Sequence, residues 1–182
     1  GLLKRRIRIH PDVACIDFTN TATGQQLLRA IAPEARLRID GTTYHLGGLQ
    51  GQTEKAYLRP EWLSGFSPWA SDFTLEKIET EPLRPHLNWK PNTWTANPRQ
   101  PTGQTLIFQY KPIASEIAAL RVRVYYDLYD GLPLVAKRLS IENTGSKPVV
   151  LDRVVSEILP FVEGESAVGG SPEQMRKQYG LY

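Results

Sequence analysis

The chain is expected to be an all-β domain built as an antiparallel β-sandwich, and three observations lead there. First, Leu120, Val122, Val124, Tyr126 and Leu128 alternate with Arg121, Arg123, Tyr125, Asp127 and Tyr129. That period belongs to a strand with one buried face, because successive side chains leave opposite sides of a sheet. Second, turn-forming clusters separate such stretches: Asp40-Gly41, then Asp130-Gly131-Leu132-Pro133, then Asn143 to Pro148. Gly reaches positive φ at little cost and Pro cannot extend a central ladder. Third, helix signals are few. Gln25 to Ala30 reads as one short helical turn stopped by Pro33, and Ser171-Pro172-Glu173 as the start of a short helix that Gly180 ends.

The elements follow in order. Leu3 to Ile9 alternates apolar and basic residues as an edge or outer strand, His10-Pro11-Asp12 turns it, and Val13 to Phe18 is a second strand. Asn20 to Gly24 is a turn. Ala35, Leu37 and Ile39 alternate with Arg36, Arg38 and Asp40, and Asp40-Gly41 predicts a hairpin to a partner strand over Thr42 to Leu46. From about 48 to 102 the chain is irregular and rich in Pro and Trp, with Phe73 to Glu79 as its one regular strand. Thr105 to Lys111 resumes alternation through Leu106, Phe108 and Tyr110. Leu120 to Tyr129, Leu134 to Glu142 and Val149 to Phe161 then predict a three-stranded meander, with Val135, Leu139 and Ile141 as the apolar side of its second strand.

At 182 residues the chain is long enough for one domain with a substantial core, and residues 1–182 are read as that single domain. The net charge of +3 is small, and the basic residues are spread along the chain. Even the densest run, Lys4-Arg5-Arg6 continued by Arg8, suits a solvated strand face better than a phosphate-binding patch, so no nucleic acid is expected. No apolar run approaches the roughly 20 residues of a membrane span. Cys15 is the only cysteine. It excludes an internal disulfide and a cysteine metal site, and within Val13-Ala14-Cys15-Ile16 it reads as a buried structural thiol. No compartment follows from composition.

Several stretches together resemble the N-terminal domain of glycoside hydrolase family 36 and related α-galactosidase-like proteins. They are Leu37-Arg38-Ile39-Asp40-Gly41 with Tyr44-His45-Leu46-Gly47-Gly48-Leu49, then Tyr57-Leu58-Arg59-Pro60-Glu61-Trp62-Leu63. Trp89-Lys90 and Pro101-Thr102-Gly103-Gln104-Thr105-Leu106 follow, and then Tyr125 to Leu134 with Leu139 to Gly145. The resemblance implies a β-supersandwich of the galactose mutarotase-like kind, placed ahead of a catalytic barrel. Such domains run longer than this sequence, so a partial or compact version is implied. The family's catalytic carboxylates belong to the barrel, and none is carried over. An extracytoplasmic setting, periplasmic or secreted, is slightly favoured.

Autonomous catalysis finds no positive signal. Glycoside hydrolysis needs two carboxyl groups about 5–5.5 Å apart for retention or about 6.5–9.5 Å for inversion. Asp127, Asp130, Glu142, Asp152, Glu157, Glu163 and Glu165 show no pairing pattern, and Asp127 and Asp130 read as solvent-face and turn residues. A mutarotase-like aldose epimerase would need a positioned acid and base, commonly His with a carboxylate. His10, His45 and His86 each read as structural or surface residues. Neither a cofactor nor a metal site is expected.

The functional lead is the aromatic stretch. A sugar ring offers an apolar C–H face and an edge of hydroxyls, which suit an exposed aromatic and nearby polar groups. Trp89, Trp94, Trp69 and Tyr57, with Arg59 and Asn92, are the candidate carbohydrate-binding residues. Trp62, between Glu61 and Leu63, reads as packing, a use open to the other aromatics too. The expected role is a non-catalytic carbohydrate-associated domain, with a galactoside or oligosaccharide and a following catalytic domain as partners. The rival readings are a mutarotase-like epimerase and a purely structural interface module.

Overall fold

The computed structural model describes residues 2–53, 56–69, 72–86 and 101–162. Its strands form two sheets. β1 (Leu3–Arg8) and β2 (Ala14–Asn20) make a small antiparallel sheet. β3 (Ala35–Ile39), β4 (Thr42–Leu46), β5 (Phe73–Pro82), β6 (Gly103–Pro112), β7 (Leu120–Tyr129), β8 (Val135–Asn143) and β9 (Leu151–Val155) make a larger one, ordered β8-β7-β6-β5-β4-β3-β9. The all-β, sandwich-like expectation holds. The large sheet is mixed rather than purely antiparallel, because β4 and β5 run parallel where Leu46 meets Phe73.

Alternation decides the core. Leu120, Val122, Val124 and Tyr126 of β7 face inward with Leu37 and Ile39 of β3, Tyr44 and Leu46 of β4, Phe73 of β5 and Phe108 and Tyr110 of β6. Fully burying a large side chain of this kind stabilises the fold by roughly 1.5–3 kcal/mol. β2 lies between two clusters: Val13, just before it, packs into this core, while Ala14 packs with Leu49 and Phe66 in a second. Trp62, on a short 3-10 helix over Pro60–Gly65, packs against that second cluster as the sequence led us to expect. The close approach depends on Gly47, where an added Cβ would lie 2.4 Å from the Val13 carbonyl oxygen.

The Asp40-Gly41 hairpin forms as predicted, with φ of 47° and 78° at its two central residues, both in the left-handed region that two-residue turns require. Cys15 is buried and free.

Three expectations are corrected. Gln25 to Ala30 is extended rather than helical, bridging Thr19 at Gln26 and Phe161 at Leu28. The Gln26 side chain explains it: its Oε1 accepts the Phe18 and Leu28 N–H groups, tying this stretch to β2. The third strand of the meander is only β9, and it pairs with β3 at the far edge of the sheet instead of with β8. The β3–β4 turn captures it. Asp40 N–H donates to the Val150 carbonyl, Val150 N–H donates to Asp40 Oδ1, and Gly41 N–H donates to Asp152 Oδ2 at 2.8 Å. Lastly, β5 runs on to Pro82. The expected helix at Ser171 lies outside the described residues.

Candidate functional site

Of the six residues expected to meet carbohydrate, Tyr57, Arg59 and Trp69 are described, and each has its own neighbours. Trp89, Trp94 and Asn92 lie outside the described residues. Tyr57 is exposed beneath the Arg29 guanidinium, which stands 5.0 Å from its ring. Arg59 is exposed, pairs with Glu61 at 3.1 Å and stands over the Trp62 ring. Trp69 has a more ordered setting. Its ring stacks on His45 with centroids 4.6 Å apart and planes 21° from parallel.

His45 follows from the strand pattern. On β4 the inward positions are Tyr44 and Leu46, so His45 points to the outer face of the large sheet. Its Nδ1 meets Asp72 Oδ2 at 2.5 Å, and Asp72, just before β5, is itself buried. The carboxylate fixes the imidazole orientation, as such partners do. Nε2 takes no partner among the described residues. Trp69 Nε1 is buried without a hydrogen-bond partner there. A ring with one side on an imidazole, beside a carboxylate-held His, can offer both an apolar plane and polar groups. The histidine was read as a structural or surface residue, and the sequence contains no sign that Asp72, 27 positions away, would find it.

Next to His45 the same face is basic. Arg36 of β3 lies opposite His45 on β4, and Arg38 lies opposite Arg153 on β9. All three arginines are exposed. The outer arginines of β7 contrast with them: Arg121 reaches Glu76 at 3.9 Å and Arg123 reaches Glu142 at 3.4 Å. Arg36, Arg38 and Arg153 have no carboxylate at ion-pair distance among the described residues. The nearby acids are engaged elsewhere, Asp40 with Val150 N–H and Asp152 with Gly41 N–H.

A second polar group lies at the other end of the outer face. Asp127 is 1% exposed, so the solvent-face reading of it is overturned. Its Oδ1 accepts the Thr105 hydroxyl at 2.7 Å, and Oδ2 accepts Arg138 Nε at 3.4 Å. Those residues lie across β6 and β8, where the register places them as neighbours of a central strand. His86 Nδ1 stands 3.7 Å away, and the Arg138 guanidinium covers the Tyr125 ring at 3.6 Å.

Charges also enter the core, against expectation. The alternation that turns Ile7 inward turns Arg5 inward as well, and Lys137 shares the face of Leu139 and Ile141. Glu34, 1% exposed, meets Arg5 at 3.5 Å and Lys137 at 3.4 Å, while Glu157 meets them at 3.2 and 3.1 Å. The Tyr126 hydroxyl donates to Glu34. Burial and the Glu34 carboxylate push that phenol well above its usual range. Burial works against the Arg5 charge, yet the carboxylates, Glu34 first, hold its pKa above the ordinary value. Among the described residues no group of three or more His, Cys, Asp or Glu is placed to hold a metal ion. No helix there is long and apolar enough to cross a membrane.

Fold and site together define an all-β, sandwich-like domain whose outer sheet face carries a pinned aromatic pair beside arginines that have no carboxylate at ion-pair distance among the described residues. Comparison with models of known families, with curated proteins and with solved structures finds no match to this chain.

Proposed function

We propose that this chain is a non-catalytic, carbohydrate-associated domain of the supersandwich kind found ahead of α-galactosidase-like catalytic barrels. It meets sugar on the outer face of its large sheet. The observation that carries this reading is the Trp69–His45 stack held by Asp72. An indole fixed in orientation covers the C–H face of a pyranose with little entropy to lose. The imidazole Nε2, which has no partner among the described residues, and the neighbouring Arg36 bond its hydroxyls. No bond is made or broken.

Intrinsic fluorescence titrated with galactose, raffinose and neutral galactan tests this. Saturable quenching is expected, lost in Trp69→Ala and kept in Trp62→Ala, whose ring belongs to a packed cluster. Silence with all three sugars, or quenching indifferent to Trp69→Ala, would reject it.

A second reading, aldose epimerase, gains one specific observation, since the His45–Asp72 pair is the His-with-carboxylate arrangement such chemistry uses. Polarimetry of freshly dissolved α-galactose separates the two. Mutarotation above the buffer rate, abolished by His45→Asn, would favour the enzyme.

A further inference from the structure

We propose that the β9–β3–β4 corner of the outer face docks an acidic, carboxylate-bearing polysaccharide, with Arg36, Arg38 and Arg153 as its anion-binding row. The inference rests on the sugar-facing reading above and names the class of sugar.

Register builds the row. Arg153 and Arg38 are directly opposed, and Arg36 lies two residues further along β3, opposite Val155 on one side and His45 on the other. Opposed residues on one sheet face have Cβ atoms about 4.5–5.5 Å apart. Like charges at that distance destabilise a sheet, so a protein with no use for them would place a carboxylate between them. This chain does so on β7, where Glu76 and Glu142 meet Arg121 and Arg123. Among the described residues it does not do so here. Among the described residues Arg38 Nε donates to the Gly41 carbonyl alone, and Asp40 and Asp152 are held by backbone N–H groups.

All three cations are arginine, whose planar guanidinium gives two parallel N–H bonds to a carboxylate. The shape of the field narrows the partner further. Beyond β4 the outer face is mixed, since Lys77 and Glu79 of β5 pair with each other at 2.6 Å and Glu76 meets Lys111 and Arg121. A single row of cations bordered by charges already paired with one another fits a single thin polyanionic chain. A duplex or an anionic bilayer draws on a broad basic surface, which this face does not offer. Trp69 and His45 adjoin the strip, so one sugar ring can stack while its neighbours present carboxylates to the arginines.

Affinity electrophoresis of the whole chain through gels containing polygalacturonate tests the proposal, with neutral galactan and a single-stranded oligonucleotide as parallel gels. Retardation by polygalacturonate is expected, weakening as salt rises. Replacing one arginine, as in Arg153→Gln, should weaken it about fivefold, and the Arg36→Gln/Arg38→Gln/Arg153→Gln combination about a hundredfold. Arg121→Gln/Arg123→Gln should leave it unchanged. Arginine modification by a phenylglyoxal reagent, followed by mass spectrometry of the wild-type protein, gives a readout that needs no variant: polygalacturonate should protect Arg36, Arg38 and Arg153 selectively.

No retardation by polygalacturonate, or retardation without selective protection, overturns the proposal. Equal retardation by the oligonucleotide, lost in the same triple variant, overturns it in favour of a general polyanion surface. Trp69-dependent binding of neutral galactan with no preference for polygalacturonate defeats this inference and leaves the sugar-binding reading standing. Binding of neither glycan defeats both.

Discussion

Two groups of charges in this molecule solve opposite problems. Inside, Arg5 and Lys137 share Glu34 and Glu157, so two cations meet two carboxylates between the sheets. Outside, Arg36, Arg38 and Arg153 stand side by side with no carboxylate within ion-pair reach among the described residues. The buried group had to be matched, because an unpaired ion in low dielectric costs several kcal/mol. The exposed group is tolerated by solvent and so remains open to a ligand. Pairing marks a charge that serves the fold, and its absence on an ordered strand marks one that is available.

The sharpest way to break this contrast is Glu34→Gln. Glu34 is 1% exposed and Lys137 8%, and Arg5 keeps 15% of its side-chain surface. Removing the shared carboxylate leaves two cations for Glu157 alone. A loss of about 3 kcal/mol is expected at pH 7 from urea unfolding, in line with breaking a buried ion pair. Exchanging the group for apolar side chains, Arg5→Met with Glu34→Leu and Lys137→Met, should cost less than Glu34→Gln alone. A loss under about 1 kcal/mol in Glu34→Gln would mean that water already reaches the cluster.

A smaller effect belongs to Asp12, a buried carboxylate that the matching rule fails to cover. Among the described residues its Oδ1 accepts only the Val13 N–H, at 2.8 Å. Burial pushes its pKa up to about 6, with that hydrogen bond acting the other way. The folded state therefore binds its proton more tightly than the unfolded state does. The stability this contributes is present below about pH 4 and is lost as pH rises towards 6. Asp12→Asn keeps the acceptor oxygen and removes the charge. It should raise stability at pH 7 by about 2–3 kcal/mol and change little at pH 4. An equal effect at both pH values would show that the carboxylate charge is not the cause.

The contrast also separates what a sequence carries from what it does not. Strand faces were legible: Leu120 to Tyr126 buries alternate residues as its period says, and Asp40-Gly41 turns as its composition says. Asp127 defeated the same reasoning, since its face is outward but it is covered and bonded by Thr105 and Arg138 from the flanking strands. Period two names a face and not the neighbour on it. Lys137 lies in phase with Leu139 and Ile141, which was visible, but its carboxylates come from positions 34 and 157. Arg5 and Glu157 are 152 positions apart. The arginine row was hidden in the same way. Arg36 and Arg38 are adjacent on one face by inspection, while Arg153 joins them only because β9 leaves the meander for the far edge. A crossing of that kind is set by the Asp40 and Gly41 backbone bonds, which no periodicity encodes. Trp69 was named from composition, and its histidine partner was not.

The smallest expected effect tests the exposed group without any ligand. If Arg153 and Arg38 repel across β9 and β3, Arg153→Thr should stabilise the chain by about 0.5 kcal/mol at low salt. Threonine also favours a strand position at any ionic strength, so the magnitude alone does not isolate the charge. Salt does. The Debye length falls from about 30 Å at 0.01 M to about 3 Å at 1 M, so the repulsive share of the gain should disappear across that range while the conformational share persists. Arg121→Thr supplies the opposite sign, because it removes a cation that has Glu76 at 3.9 Å and should lose stability at low salt. Parallel thermal unfolding of both variants at the two salt concentrations measures the difference. Matching salt responses would mean that Arg153 is as well compensated as Arg121, and the argument for an open anion-binding row would lose its physical basis.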